Sequence, residues 1–259
     1  MRTSLATTLF LSVAIAVLTA DSSTALAAHP YFLAATIDDP KTIASVCQSQ
    51  KNIQNVMPAG TVSPHAPQDL HVSLVVFGDT LSKSQKTTLH TIIAGVVSGL
   101  DKYGPIKLAT AIKGGDFAVF TGFIVYALEK PGILATIARA SRSAVEKAVK
   151  SGKTDIFVDP RDDFGSKPNA HISFGTFDPN GKIGGQKTST VLKKTFISFS
   201  RRAEADKGQV IIDPPNATKD WVLYEIDLKH NEGGHYVNVD SWVLPNPGMP
   251  HPKPPPCPP

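Results

Sequence analysis

The sequence predicts an α+β domain, because strand-like and helix-like segments follow one another in a mixed order. That order runs strand, helix, strand, helix, several strands, helix, strand, and then mostly strands. A doubly wound fold would alternate the two element types to the end. The 259 residues are 41% hydrophobic, which is enough for one large domain, or two closely packed lobes, with a real core.

Apolar periodicity and capping residues predict the individual elements. The predicted helices cover residues 38–50, 80–104 and 131–152. Asp39 and Pro40 begin the first helix, and Thr80 or Ser82 caps the second. The predicted strands are 31–37, 70–77, 106–112, 116–122, 123–129, 169–177, 194–200 and 208–215, followed by a closing hairpin of 221–230 and 235–244.

The two ends of the chain differ from the domain between them. A charged start at Met1 and Arg2, an apolar run from about Leu9 to Leu18 and a small-residue segment ending at Ala27 predict a signal peptide over residues 1–27. The apolar run is shorter than the ~20 residues that a membrane span needs. We therefore expect an exported protein without a membrane span, with a domain at 28–244 and a proline-rich, disordered tail at 245–259.

Charge and cysteine content limit the function classes only loosely. The net charge of +4 and the pI near 9.0 suit an anionic ligand. Cys47 and Cys257 are too far apart in the sequence for a zinc site and could pair in an oxidising compartment. Asn216 begins an N-glycosylation sequence, which matters if the source is eukaryotic.

Two short polar interruptions of apolar strands are the strongest functional signal. In LHVSL, His71 and Ser73 alternate with apolar residues, and in AHISF, His171 and Ser173 do the same. Alternate residues of a strand point to the same face, so each histidine shares a face with its serine. Of the eight histidines in the chain, no other has Ser or Thr two residues later. A single pair would be typical of hydrogen-bonded polar residues at the rim of a sheet, whereas two matched pairs indicate a functional site.

These motifs resemble the twin His-x-Ser/Thr motifs of the 2H phosphoesterase superfamily, which includes 2′,5′ RNA ligase-like proteins and cyclic nucleotide phosphodiesterases. YFLAATIDDP resembles the first strand and turn of that family, and EIDLKHNEGGHYVNVDSWVL resembles its closing hairpin. The segment 175–220 is long for that family, and its DPNGKIGGQKT stretch has no counterpart that can be placed. The resemblance covers most of residues 31–244.

The resemblance implies a bilobal fold with pseudo-twofold symmetry, in which two small antiparallel sheets with outer helices enclose a central cleft. It implies His71, Ser73, His171 and Ser173 as the catalytic residues of a cyclic phosphodiesterase, a phosphoric diester hydrolase without metal or other cofactor. The expected partner is a nucleotide or RNA carrying a 2′,3′-cyclic phosphate or a 2′,5′ linkage, bound by a monomer. The alternatives are a secreted nucleotide- or RNA-binding protein without turnover, and 2′,5′ RNA ligase activity.

The chemistry of such a reaction suits these residue types. Hydrolysis needs a base for the water and an acid for the departing ribose oxygen, and two imidazoles with ordinary pKa values near ~6.5 can share these tasks. Serine hydroxyls beside them can donate hydrogen bonds to the charged oxygens of the transition state. The sequence leaves open which histidine is the base.

Other residues are weaker candidates. An aromatic wall for the base is expected in such a cleft, and Tyr236, Trp242 and Phe32 are candidates, with core packing an equally good explanation. His230 and His235 flank a turn without further ligands at metal-site spacing. GKIGGQKT (181–188) lacks the Gly-Lys-Ser/Thr ending of a phosphate loop, and we interpret it as a surface turn.

Overall fold

The computed structural model describes residues 30–38, 40–100, 117–120, 122–127, 132–161, 170–195, 223–232 and 235–244. The predicted signal peptide, the proline-rich tail, the strands predicted at 106–112 and 208–215, and Asn216 lie outside these residues. Within them, no helix is long and apolar enough to cross a membrane. Cys47 is disulfide-bonded, whereas Cys257 lies outside the described residues.

The described strands form one large antiparallel sheet and one small hairpin. The strands are β1 (Tyr31–Thr36), β2 (Val62–Pro64), β3 (His71–Val76), β4 (Phe117–Phe120), β5 (Phe123–Ala127), β6 (His171–Phe177), β7 (Lys182–Ile183), β8 (Gln186–Lys187), β9 (Glu225–Glu232) and β10 (His235–Val243). The strand order is β10-β9-β1-β3-β6-β5-β4, and β2 adds to β6. The α+β class predicted from the sequence is confirmed.

The large sheet has two halves that correspond to the two predicted lobes. Strands β10, β9, β1 and β3 form one half, and β6, β5, β4 and β2 form the other. The halves meet where β3 pairs with β6, with Val72 opposite Ile172. Each half carries one motif strand at its inner edge, so the fold brings the two His-x-Ser segments side by side.

In the described part of the chain, three long helices lie on one face of this sheet. They are α1 (Pro40–Val56), α2 (Lys83–Ser98) and α3 (Gly132–Lys150). Helix α1 packs on β2 and β6, α3 on β3, and α2 on β10. Ser82 caps α2 with a reciprocal capping box, in which its hydroxyl accepts from the N–H of Gln85 and the Gln85 side chain accepts from the Ser82 N–H.

Two predicted elements differ from the structure, and one predicted turn is confirmed. Helix α1 continues past residue 50 to Val56, because Ile53 on its buried side extends the apolar face. The strand predicted at 194–200 is wrong at its start, since residues 188–195 are helical and bury Thr188 and Leu192 one turn apart. The surface turn predicted at 181–188 is confirmed as the tight β7–β8 hairpin, whose Gly184 and Gly185 have φ of 54° and 78°.

The two faces of the sheet are chemically different. On the helix side, Leu33, Val72, Ile172 and Leu228 belong to the main hydrophobic core. Alternate residues point the other way and are largely polar. They include Thr36, His71, Ser73, His171, Ser173, Asp227 and Lys229. This polar face is the surface on which the fold places the candidate site.

Candidate active site

The four motif residues lie around the junction of the two half-sheets. Val72 and Ile172 are opposite each other in the antiparallel pair of β3 and β6. Continuing that antiparallel register by one residue on each side sets His71 opposite Ser173 and Ser73 opposite His171. All four side chains point away from the helices, because the paired Val72 and Ile172 are buried on the helix side.

This register places the two histidines on a diagonal and the two serines on the other diagonal. Directly opposite residues of a sheet have Cβ atoms ~4.5–5.5 Å apart, and diagonal residues lie ~7–8 Å apart. His71 is 5% exposed, whereas Ser73, His171 and Ser173 are half-buried and reach solvent.

The backbone fixes the orientation of His71. Its Nδ1 lies 2.6 Å from the carbonyl oxygen of Asp69. A carbonyl oxygen can only accept, so Nδ1 carries the proton and the lone pair of the neutral ring is on Nε2. Burial lowers the pKa of His71 to about 3, and the positive charge of Lys229 acts in the same direction. His71 is thus a neutral imidazole with Nε2 as its proton acceptor.

Two of the three aromatic candidates lie against His71. The Phe32 ring is 4.9 Å from the His71 ring, and the Tyr236 ring is 4.7 Å from it in an edge-on arrangement. Phe32 and Tyr236 also contact each other, with centroids 5.5 Å apart at 90°. Burial raises the pKa of Tyr236, so its hydroxyl keeps its proton and remains a donor.

Trp242 does not join this group. It pairs with Ile226 of β9 on the helix side of the sheet and is 5% exposed. Its Nε1 donates to the carbonyl oxygen of His90 on α2, 3.2 Å away. The structure therefore places Trp242 in the packing between β10 and α2, on the face opposite to His71, and not among the residues that line the site.

A buried charged cluster on the polar face was missed by the sequence analysis. Asp227 is fully buried and accepts hydrogen bonds from the hydroxyls of Thr36 and Ser241. Lys229 is 3% exposed, and its Nζ lies 3.6 Å from an Asp227 oxygen. The sequence signal was the alternation of Asp227 and Lys229 with Ile226 and Leu228, which turns two charges to the face that His71 occupies.

A third histidine was also missed. His65 follows β2 and is 8% exposed, and its ring centroid is 5.8 Å from that of Tyr236. Burial lowers the pKa of His65, and the charge of Asp69 acts in the opposite direction. The available signal was its position in the loop directly before the first motif, six residues ahead of His71.

His230 of the closing hairpin makes contacts with residues other than the four motif residues. The His230 ring stacks on Tyr31 at 4.1 Å, and its Nδ1 lies 3.3 Å from Glu232. Among the described residues, His, Cys, Asp and Glu side chains do not gather in groups of three or more that could hold a metal ion.

Solved structures of phosphoesterases match this chain. A phosphoesterase crystal structure shares 16% sequence identity, with 83% of this chain and 98% of that chain covered at a TM-score of 0.47. E. coli LigT complexed with 3′-AMP shares 14% identity over 83% of this chain and 98% of its own, with a TM-score of 0.47. Usb1 of Kluyveromyces marxianus with uridine monophosphate shares 17% identity over 83% and 98%, with a TM-score of 0.45.

No family model matches the chain, and no curated protein matches it by sequence. The likeness to these solved structures is one of fold alone. The chemistry of the site depends on the side chains described above.

Proposed function

We propose that the protein is a metal-independent phosphodiesterase that hydrolyses 2′,3′-cyclic phosphates of nucleotides or RNA ends. The crosswise register of β3 and β6 carries this proposal. It supplies two acid–base groups on one diagonal and two hydroxyl donors on the other. Displacement at phosphorus needs a base on one side and an acid on the other, because the attacking and leaving oxygens lie on opposite sides of the phosphorus atom.

The two histidines divide the proton transfers. His71 is the base, because its Nδ1–H is held by the Asp69 carbonyl and its Nε2 carries the lone pair. Nε2 takes a proton from a water molecule, whose oxygen attacks phosphorus. The bond from phosphorus to one ribose oxygen breaks, and that oxygen takes a proton from the protonated ring of His171. One water is thereby added across the ester bond, and exchange with solvent restores both rings.

The remaining polar groups stabilise the charge that develops on the phosphate oxygens. Ser73 and Ser173 occupy the second diagonal, where their hydroxyls can donate to the non-bridging oxygens. Lys229 adds a buried positive charge on the same face. Its charge is felt at His71, which supports an anionic ligand in this part of the cleft.

We propose further that this enzyme is exported and acts as a monomer. The pattern of residues 1–27 supports export, and so does the disulfide at Cys47, because disulfides persist in oxidising compartments. A monomer suffices, because one chain contributes all four motif residues.

The test is hydrolysis of a 2′,3′-cyclic nucleotide in EDTA, followed by ³¹P NMR, which also shows the ribose oxygen that leaves. We expect turnover in the wild type, and a loss of ~10²–10⁴ in kcat for His71→Asn and for His171→Ala. His71→Asn is informative because its amide can still donate to the Asp69 carbonyl while Nε2 is lost. His90→Ala is the matched control, since His90 is exposed on α2 and pairs with Asp240.

Two outcomes would reject the proposal. Loss of turnover in EDTA would remove the metal-independent mechanism. Tight binding of nucleotide without cleavage of cyclic or 2′,5′-linked substrates would favour a nucleotide-binding protein without turnover.

A further inference from the structure

His65 is the one histidine near the site that the proposed mechanism does not use. It is 8% exposed, and its Nε2 makes no hydrogen bond to any described residue. A buried polar atom without a partner costs ~1–3 kcal/mol. Such an atom beside a catalytic site points to a hydrogen bond that a ligand completes.

The backbone around His65 is held by hydrogen bonds, whereas Nε2 of its ring has no hydrogen-bond partner among the described residues. Its N–H donates to the carbonyl oxygen of Phe174 at 2.8 Å, and its own carbonyl accepts from the Gln50 side chain at 2.8 Å. Gln50 donates to the Phe174 carbonyl as well, also at 2.8 Å, so one buried amide ties the segment to β6. These bonds position the imidazole and leave its Nε2 unsatisfied.

The close approach of β2 to β6 brings His65 to the polar face. A Cβ atom on Gly175 would lie 2.6 Å from the carbonyl oxygen of Ser63, so only glycine allows this spacing. Val62 and Pro64 lie beside Gln50 on the α1 side. By alternation His65 points to the opposite face, where its ring meets Tyr236 at 5.8 Å.

The surroundings of His65 favour a neutral ligand group over a phosphate. Burial lowers the pKa of His65, so the ring is uncharged at neutral pH and offers no positive charge. The negative charge of Asp69 acts on both His65 and Tyr236, and it would repel an anion. A neutral imidazole and a phenol next to a carboxylate suit hydroxyl and amide groups, which both donate and accept.

We infer that His65 and Tyr236 form a subsite for the nucleoside part of the substrate, with His65 Nε2 hydrogen-bonded to a ribose hydroxyl or to the polar edge of the base. This inference rests on the proposed function, because it assumes that the phosphate lies between His71 and His171. His65 is then a residue that discriminates a nucleotide from a bare phosphodiester, and it takes no part in proton transfer.

The experiment compares the affinities of adenosine 3′-monophosphate, uridine 3′-monophosphate and inorganic phosphate for three proteins. These are the wild type, His65→Phe, which keeps an aromatic ring without nitrogen, and His65→Gln, which places an amide near the position of Nε2. We expect His65→Phe to weaken nucleotide binding about tenfold or more while the affinity for inorganic phosphate changes less than twofold, since one hydrogen bond to the ligand is lost. His65→Gln should recover most of the nucleotide affinity.

Wild-type NMR provides a measurement that does not depend on the folding of a variant. The ¹⁵N shift of His65 Nε2 should move on titration with either nucleotide and stay fixed on titration with inorganic phosphate. Unchanged nucleotide affinity in a folded His65→Phe, an equal loss for nucleotide and phosphate, or an unmoved ¹⁵N shift would each overturn the subsite. A wild type that hydrolyses cyclic nucleotides while giving any of these results rejects the subsite alone. A wild type that neither binds nor cleaves nucleotides rejects the proposed function and the subsite together.

Discussion

His71 Nδ1 lies 2.6 Å from the carbonyl oxygen of Asp69, two positions earlier in the chain. A backbone carbonyl therefore sets the tautomer of this histidine without help from a carboxylate. The carbonyl belongs to the short 3₁₀ turn Pro67–Asp69 that leads into β3. The same turn that starts the motif strand thus prepares its histidine to accept a proton.

The first prediction concerns stability at acid pH. The pKa of His71 is about 3 in the folded protein against 6.5 for an ordinary histidine, so between these values the unfolded state binds a proton that the native state does not. The contribution of His71 to the free energy of unfolding is fully present above ~pH 6.5. It is lost as the pH falls, by up to ~1.4 kcal/mol per pH unit. Urea unfolding from pH 7 to 4.5 should show a shallower decline for His71→Asn than for the wild type.

His65 remains in the His71→Asn variant. Because burial also lowers the pKa of His65, the free energy of unfolding of this variant still declines at acid pH, but less steeply than that of the wild type. The matched control is His90→Asn, since His90 is exposed. Parallel stability–pH curves for the wild type and His71→Asn would show that His71 is not held neutral by the fold.

The second prediction concerns the hydroxyl groups of Ser73 and Ser173. Loss of one preorganised donor to a transition-state oxygen costs ~10²–10³ in kcat. We expect Ser73→Ala and Ser173→Ala each to lower kcat on a 2′,3′-cyclic nucleotide in that range with little change in KM. Ser73→Thr and Ser173→Thr keep the hydroxyl and should retain most activity. Alanine variants with wild-type kcat would exclude the serines from the reaction.

The third prediction concerns the buried charges on the polar face. Asp227→Ala leaves Lys229 buried without its counter-charge, which costs ~3–5 kcal/mol in the free energy of unfolding. The double variant Asp227→Leu with Lys229→Met removes both charges and should be more stable than Asp227→Ala. Glu146→Ala, which breaks a partly exposed pair with Arg142, is the control and should cost less than ~1 kcal/mol. Equal small losses in all three variants would contradict the buried pair.

The fourth prediction concerns the amide that joins α1 to the site. Gln50→Leu leaves the carbonyl of His65 without its donor, whereas the carbonyl of Phe174 keeps the His65 N–H as a donor. One buried carbonyl left unpaired costs ~1–3 kcal/mol, so a loss in that range is expected in urea unfolding. Gln48→Leu on the exposed side of α1 is the matched control. A Gln50→Leu variant as stable as this control would show that the two bonds do not contribute.

The sequence predicted those parts of the site that depend on local alternation. The pairs His71 with Ser73 and His171 with Ser173 share a face because a strand has a period of two. Their crosswise placement depends on the register of Val72 with Ile172, which is a contact distant in sequence and leaves no local pattern. The tautomer of His71 depends on the backbone conformation of the turn Pro67–Asp69, which the pattern of residue types does not show.

The positions of His65, which was missed, and of Trp242, which was misplaced, depend on how the strands pair. His65 reaches the site because β2 pairs with β6 through Gly175. Trp242 faces the helices because the register of β10 with β9 shifts between Asn238 and Asp240, so simple alternation from Tyr236 does not give its side. Such irregularities are set by packing and cannot be counted from the sequence.

The fifth prediction separates the aromatic residue that lines the site from the one that packs behind it. Tyr236 contacts His71 and Phe32, so Tyr236→Leu should weaken nucleotide binding by ~1–3 kcal/mol if a base stacks there. Trp242→Phe removes the bond from Nε1 to the His90 carbonyl and should lower stability by about 1–3 kcal/mol while leaving nucleotide affinity unchanged. Isothermal titration with uridine 3′-monophosphate and urea unfolding measure the two effects. If Trp242→Phe weakened binding as much as Tyr236→Leu, the two faces of the sheet would not be functionally distinct, and the site would have to extend beyond the polar face.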